Sequence, residues 1–159
     1  KALIVYESQF GNTEKVARAI AEGLATSGQV EVVAVDAAST ALPADVDLLL
    51  VGGPTHVFSM SRVQTRADAA KDAPTPTRLG IREWLAEASS ASRGLRVATF
   101  GTKQGHGRLS GSAATAAAKA ARAHGMSVDA ATDFFVTGEA ALEEGELERA
   151  AAWGRTLGR

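Results

Sequence analysis

A chain of 159 residues, 45% hydrophobic and 22% charged, can bury about 70% of its unfolded surface in one core, so a single domain over residues 1–159 is expected. A formal charge of −1 and arginines that form no stripe interleaved with aromatics exclude a protein driven by phosphate neutralisation on nucleic acid. The absence of cysteine excludes disulfides, thiolate metal ligands and a cysteine nucleophile. No signal-peptide pattern opens the chain and no apolar run approaches the ~20 residues of a bilayer span, so a cytoplasmic protein without membrane association is expected.

Residues 2–6 (A-L-I-V-Y) are continuously apolar, as a strand covered on both faces of a parallel sheet must be. The chain then passes through E-S-Q-F-G-N-T into a helix carrying Val16, Ile20 and Leu24 at four-residue spacing. Gly11 permits backbone angles that turn successive amides inward, and Asn12 or Thr13 can cap the helix. An anion at such a helix start meets unsatisfied N–H groups and a dipole end of roughly half a charge. The loop contains neither G-x-x-x-x-G-K-[ST] nor G-x-G-x-x-G, which sets aside a magnesium nucleoside triphosphate and the dinucleotide fingerprint. Nothing cationic lies between Tyr6 and Glu14. Hydroxyls, an amide and backbone N–H groups are the donors, a set suited to a terminal phosphate that is held rather than transferred.

Further along, residues 30–35 (V-E-V-V-A-V) read as a second strand and 47–52 (D-L-L-L-V-G) as a buried third. Between them, 36–45 with Pro43 leaves room for a loop or a single turn. A long excursion over 54–92 contains P-T-P at 74–76 and a helical stretch near 78–87 that includes Trp84. Residues 95–100 form the fourth strand, 110–124 an alanine-rich helix ended by Gly125, and 126–136 contain the fifth strand, most clearly at 133–136. The last helix places Leu147, Ala150, Trp153 and Leu157 on one side, and both tryptophans are expected in the core.

Strands alternating with helices are the signature of a doubly wound α/β sheet. For strand order 2-1-3-4-5, ligands sit at the carboxyl ends of strands one, three and four. The loops there are 7–13, 53–62 (G-P-T-H-V-F-S-M-S-R) and 101–111 (G-T-K-Q-G-H-G-R-L-S-G). Rich in glycine, hydroxyls and rings, they form three walls of one expected pocket.

Ser8, Gln9, Phe10, Gly11, Asn12 and Thr13 match, position by position, the hydroxyl-x-x-Gly-x-Thr phosphate loop of the flavodoxin family, and across the whole chain the sequence resembles that family. The resemblance implies a three-layer sandwich, a five-stranded parallel sheet of order 2-1-3-4-5 with helices on both faces, and non-covalently bound FMN. It implies that the second loop, Pro54, Thr55, His56, Val57 and Phe58, holds the cofactor, with the Thr55 hydroxyl toward the phosphate and ribityl chain and His56 or Phe58 stacking on the flavin. The third loop, Phe100, Gly101, Thr102, Gly105 and His106, would face the pyrimidine edge with its backbone N–H groups. The fifth strand carries no long insertion, which resembles the short-chain branch. The related receiver module of response regulators needs an acidic pair after strand one and an aspartate ending strand three. Tyr6-Glu7 and Gly52-Gly53 stand there instead.

The resemblance implies electron transfer to a redox partner protein or a small acceptor. Two further readings stay open: a small reductase passing electrons from NAD(P)H to a quinone-like acceptor, and a scaffold domain of this fold without flavin, which the lack of Trp or Tyr in the second and third loops favours. Electron-carrier flavodoxins are strongly acidic, whereas Arg62, Arg66, Lys103 and Arg108 are expected on the rim here, with Asp68 and Asp72 nearby. One positive charge ~8 Å from the flavin at an effective dielectric of ~40 favours the reduced anion by ~1 kcal/mol, or ~40 mV for one electron. A less reducing flavin and a partner that need not be basic are expected. Of the histidines, His56 either caps a turn or faces the flavin, His106 between two glycines is expected to be mobile and solvated, and His124 sits at a helix C-terminus, where the dipole favours its charge. No metal site and no Ser-His-Asp triad is expected.

Overall fold

The computed structural model describes residues 1–90, 94–138 and 141–159. In chain order the elements are β1 (Ala2–Tyr6), α1 (Asn12–Leu24), β2 (Val30–Ala34), β3 (Ala41–Leu42), β4 (Leu48–His56), β5 (Ser59–Met60), α2 (Val63–Ala69), α3 (Ile81–Glu87), β6 (Ser89–Ser90), β7 (Arg96–Gln104), α4 (Ala113–Ala123), β8 (Ser127–Val136) and α5 (Glu146–Leu157). The five long strands form one parallel sheet in the order β2-β1-β4-β7-β8, the expected 2-1-3-4-5, with β5 folded back antiparallel on β4. A two-residue parallel pair, β3 with β6, lies outside that sheet. The last two residues of the expected 54–92 excursion fall outside the described residues.

The apolar run of β1 alternates between two cores, because successive side chains leave a strand on opposite faces. Ile4 and Tyr6 join Leu48, Leu50, Phe100 and Phe134 beneath α1 and α5. Leu3 and Val5 join Leu49, Val51 and Val97 beneath α3 and α4, with Trp84 fully buried. Small residues set the spacing of the first layer. A Cβ on Gly23 would collide with the Ala151 carbonyl and one on Gly154 with the Ile20 carbonyl, so α1 and α5 touch backbone to backbone.

Several boundaries differ from the sequence expectation for physical reasons. β7 continues four residues past Phe100, through Gly101, because Gly101–Gln104 pair with Asp133–Val136 of β8, and tertiary pairing overrides glycine's weak strand preference. α4 starts at Ala113 rather than at 110, since the Ser112 hydroxyl caps it by accepting from the Thr115 N–H at 2.9 Å and residues 108–110 form a separate 3-10 turn. Its end is as expected. Gly125 takes φ +80°, and Gly125 and Met126 donate to the Arg122 and Ala121 carbonyls, a Schellman closure behind His124. In α5 the buried stripe is Glu146, Ala150, Gly154 and Leu157, so Leu147 is 41% exposed and Trp153 half-buried against Phe134. Ala150 and Leu157 keep their expected places, but Glu146 replaces Leu147 and Gly154 replaces Trp153, since Gly154 packs on α1. α2 was not anticipated, being only seven residues long and too polar for a clear period. No helix among the described residues is long and apolar enough to cross a membrane.

Gly154→Ala is expected to destabilise the fold by about 2 kcal/mol, since overpacking a tight backbone contact forces the two helices apart. Urea denaturation checks it, and an unchanged midpoint would show that α5 shifts freely.

Candidate functional site

A cavity of about 590 Å³ opens at the carboxyl ends of β1, β4 and β7, where the strand order reverses. Ser8, Gln9, Phe10, Asn12 and Thr13 form one wall, Pro54, Thr55, His56, Val57 and Phe58 a second, and Thr102, Lys103, Gln104 and Ser110 a third. These bring together most of the residues singled out in the three loops. Thr65, Asp68 and Ala69 of α2 and Val136 and Gly138 beyond the end of β8 complete the lining. The sequence signals for these five are faint. Thr65, Asp68 and Ala69 share a helix face by their i, i+3, i+4 spacing, and Val136 ends a strand at the ligand side of the sheet.

The first wall owes its shape to Gly11, which is itself the N-cap of α1 at φ +92°, donating its N–H to the Ser8 Oγ at 3.2 Å. Asn12 and Thr13, expected as caps, are instead buried in the first helical turn. The first intrahelical bond here runs from the Lys15 N–H to the Gly11 carbonyl, so helix geometry offers the Thr13 and Glu14 amides no acceptor within α1. The Thr13 and Thr102 hydroxyls share a buried hydrogen bond of 2.8 Å that joins the first loop to β7. Two hydroxyl hydrogens serve one bond, so one remains for a ligand. Gln9 is 1% exposed; its Nε2 donates to the Arg66 carbonyl at 3.4 Å, and its Oε1 has no partner among the described residues.

The second wall is a hairpin. His56 pairs with Ser59, leaving Val57 and Phe58 as a two-residue turn at φ +46° and +70°. Positive φ at both positions belongs to the type I′ turn, which normally carries Asn or Gly. A β-branched valine is strained there. The turn is held by the Ser112 N–H, which donates to the Phe58 carbonyl at 3.2 Å, and by Gly111, where any Cβ would strike the Phe58 backbone. The Thr55 Oγ1 accepts from the Ala113 N–H at 3.0 Å, tying the same wall to the start of α4.

The remaining predicted residues lie off the cavity lining. Phe100 is fully buried in the core under Gly52, whose missing Cβ makes room for the ring. Gly101 is packed against Asp133 and the Ala114 amide, Gly105 shapes the loop at φ +74°, and Gly11 turns the chain behind the wall. His106 is exposed, as expected, but has partners. Its ring stacks on Phe135 at 3.8 Å and its Nε2 meets the Glu143 carboxylate at 2.9 Å, two partners too distant in sequence to be foreseen.

The electrostatics also differ from the expected rim. Arg66 is buried beneath the site, where it bonds the Ser61 hydroxyl at 2.8 Å and the Glu83 carboxylate at 3.0 Å, so it is not a rim cation. Burial pushes the Glu83 carboxyl up, but the Arg66 bond and charge and the Gly80 amide together hold it below its ordinary range. Burial and the Arg66 charge push His56 down, which keeps its ring neutral near pH 7. Glu7, fully buried, has its carboxyl pushed up by burial, which outweighs the Ser61 hydroxyl, the Ile81 N–H donated at 3.0 Å and the Arg66 charge. Lys103 donates to the Gly111 carbonyl at 2.6 Å, and Arg62 and Arg108 are exposed.

Residues 4–102 match the sequence model of the Flavodoxin family. Among solved structures, a flavodoxin from the domain Archaea is similar over 99% of this chain and 95% of its own, with 20% identity and a TM-score of 0.68. Oxidised Flavodoxin 2 from Bacillus cereus is similar over 97% of this chain and 94% of its own, at 19% identity and a TM-score of 0.67. Two-electron reduced Megasphaera elsdenii flavodoxin is similar over 98% of this chain and 99% of its own, at 20% identity and a TM-score of 0.59. No curated protein matches this sequence.

A buried carboxyl with a raised pKa contributes stability that is present below its unfolded pKa and lost as pH rises through its folded one. The stability of the wild type relative to Glu7→Gln should therefore fall between about pH 5 and about pH 8. Urea midpoints of both proteins at the two pH values measure this. A difference that stays flat or grows with pH would mean that the ionised Glu7 is fully compensated by Arg66.

Proposed function

Because the chain belongs to the flavodoxin family, we propose that it binds FMN in this cavity and carries electrons between redox partners. The observation that carries the reading is the cation-free wall around α1. Amides left over at the helix start, the spare hydrogen of the Thr13–Thr102 hydroxyl pair and the Ser8 hydroxyl converge on one corner of the cavity, a donor set that fits a terminal phosphate. The unpartnered Gln9 Oε1 adds a buried acceptor beside it, which fits a hydroxyl of a ribityl chain. The cavity volume lies in the range of cofactor sites.

FMN, when bound, supplies one- and two-electron chemistry. The chain's own part is to hold and tune it. Ser8, the Thr13 amide and the Thr13–Thr102 hydroxyl pair would grip the phosphate, Thr55 the ribityl chain, and His56 with Val57 and Phe58 would cover one face of the ring system. Lys103 contributes the positive charge among the cavity-lining side chains, opposed by Asp68, whose carboxylate is shared with Gln64 and Lys71. Neutral His56 adds no charge. A small domain that holds no flavin is the second reading, favoured by the absence of Trp and Tyr from the cavity lining. A reductase using NAD(P)H is the third, distinguished by steady NAD(P)H oxidation by the loaded protein.

Titration of apoprotein with FMN should quench flavin fluorescence to a one-to-one endpoint, with riboflavin binding far more weakly. Thr13→Ala should weaken FMN binding by about tenfold, the worth of one hydrogen bond to a charged group. A protein purified without colour that leaves FMN fluorescence unchanged supports the scaffold reading instead. In loaded protein, Lys103→Gln should lower the one-electron midpoint potential by about 40 mV, read by redox titration; an unmoved potential removes Lys103 from the tuning of the site.

A further inference from the structure

Among the described residues, four of the five large apolar side chains that stand exposed, Val57 (73%), Phe58 (66%), Val63 (71%) and Leu109 (90%), belong to the segments that frame the cavity mouth. Val57 and Phe58 form the hairpin tip, Leu109 lies in the 3-10 turn two residues before the Gly111 that abuts the Phe58 backbone, and Val63 opens α2. Isolated exposed apolar residues are ordinary, but a group of them on one rim marks an interaction surface. The tip is also strained, and the Ser112 hydrogen bond and the Gly111 contact hold it in place. Relaxing the turn would cost no core contact of Val57, so packing of its side chain does not account for the strain.

The charge on this rim identifies the occupant. Arg62 and Arg108 are exposed, and among the described residues neither side chain has an ion-pair or hydrogen-bond partner. Of the acids beside this rim, Asp68 is engaged by Lys71 and Glu143 by His106. An apolar centre flanked by unpaired cations complements an apolar centre flanked by carboxylates. A second copy would oppose arginine to arginine. We infer that the Val57–Phe58 tip, Leu109 and Val63, flanked by Arg62 and Arg108, form the docking face for an acidic redox protein. This inference rests on the electron-carrier reading of the same cavity, and it reverses the charge sense of an acidic carrier that docks on basic partners.

The test is a titration of isotope-labelled protein, followed by NMR, with a small acidic [2Fe–2S] ferredoxin and, separately, with basic cytochrome c. Amide shifts are expected with the ferredoxin alone, confined to residues 57–63 and 105–112, and the affinity should drop by about tenfold or more when salt is raised from about 25 mM to about 300 mM. Arg62→Glu with Arg108→Glu should weaken ferredoxin binding by about tenfold, and Leu109→Ser should weaken it at all salt concentrations. Preference for cytochrome c, shifts elsewhere on the surface, no shifts with either protein, or sedimentation as a dimer closed by this face would each overturn the inference. A parallel FMN titration separates the two readings. Protein that loads FMN and ignores the ferredoxin loses only the docking face, and protein that binds the ferredoxin at this rim but takes no FMN loses only the flavin.

Discussion

The placement of β1 between β2 and β4 is the constraint on which the cavity depends. The chain leaves β1, crosses to one edge of the sheet, and returns to the other side of β1, so the loops after β1 and β4 diverge to opposite faces and leave a cleft between them. The cleft survives because its walls are fastened to one another. Thr13 on α1 is bonded to Thr102 on β7, Thr55 on β4 holds the first amide of α4, and Gln9 holds the backbone of α2. Each bond joins residues distant in the chain. A site built on such cross-links keeps its shape without a disulfide, which this cysteine-free chain cannot form.

Below the cleft lies a second layer of polar order. Arg66, Ser61, Glu83 and Glu7 are gathered where α2, α3 and β1 meet. A buried guanidinium is tolerable only with partners for its donors. Here Glu83 and Ser61 supply them, and the pair fixes the short helix α2 against α3. The consequences reach the cavity through two routes: the Arg66 carbonyl accepts from Gln9, and the Arg66 charge adds to the burial that pushes the His56 pKa down. The electrostatic character of the pocket is thus set partly by a residue that does not line it.

The rim is organised on a different principle. Its side chains are exposed, while the backbone beneath Val57 and Phe58 is held in a costly turn. Strain in the backbone with exposure of the side chains is the reverse of a core, and it suits a surface that must present fixed positions to something outside the molecule. Val57 and Phe58 belong both to the cavity lining and to this surface.

By itself the sequence determined the order of the five long strands and of α1, α3, α4 and α5, the two-faced burial of β1, the glycine turn before α1 and the identity of the three loops, because these depend on local periodicity and on backbone preferences carried by a few residues such as Gly11 and Gly125. Only the tertiary structure decided which side chains of those loops reach the cavity. Phe100, one residue before Gly101, turned inward to fill the space over Gly52, His106 was captured by Phe135 and Glu143, and Arg66 was drawn beneath the floor by Glu83. Each of those outcomes depends on partners roughly 17 to 50 residues away, and a local pattern carries no information about contacts that form only when distant segments pack.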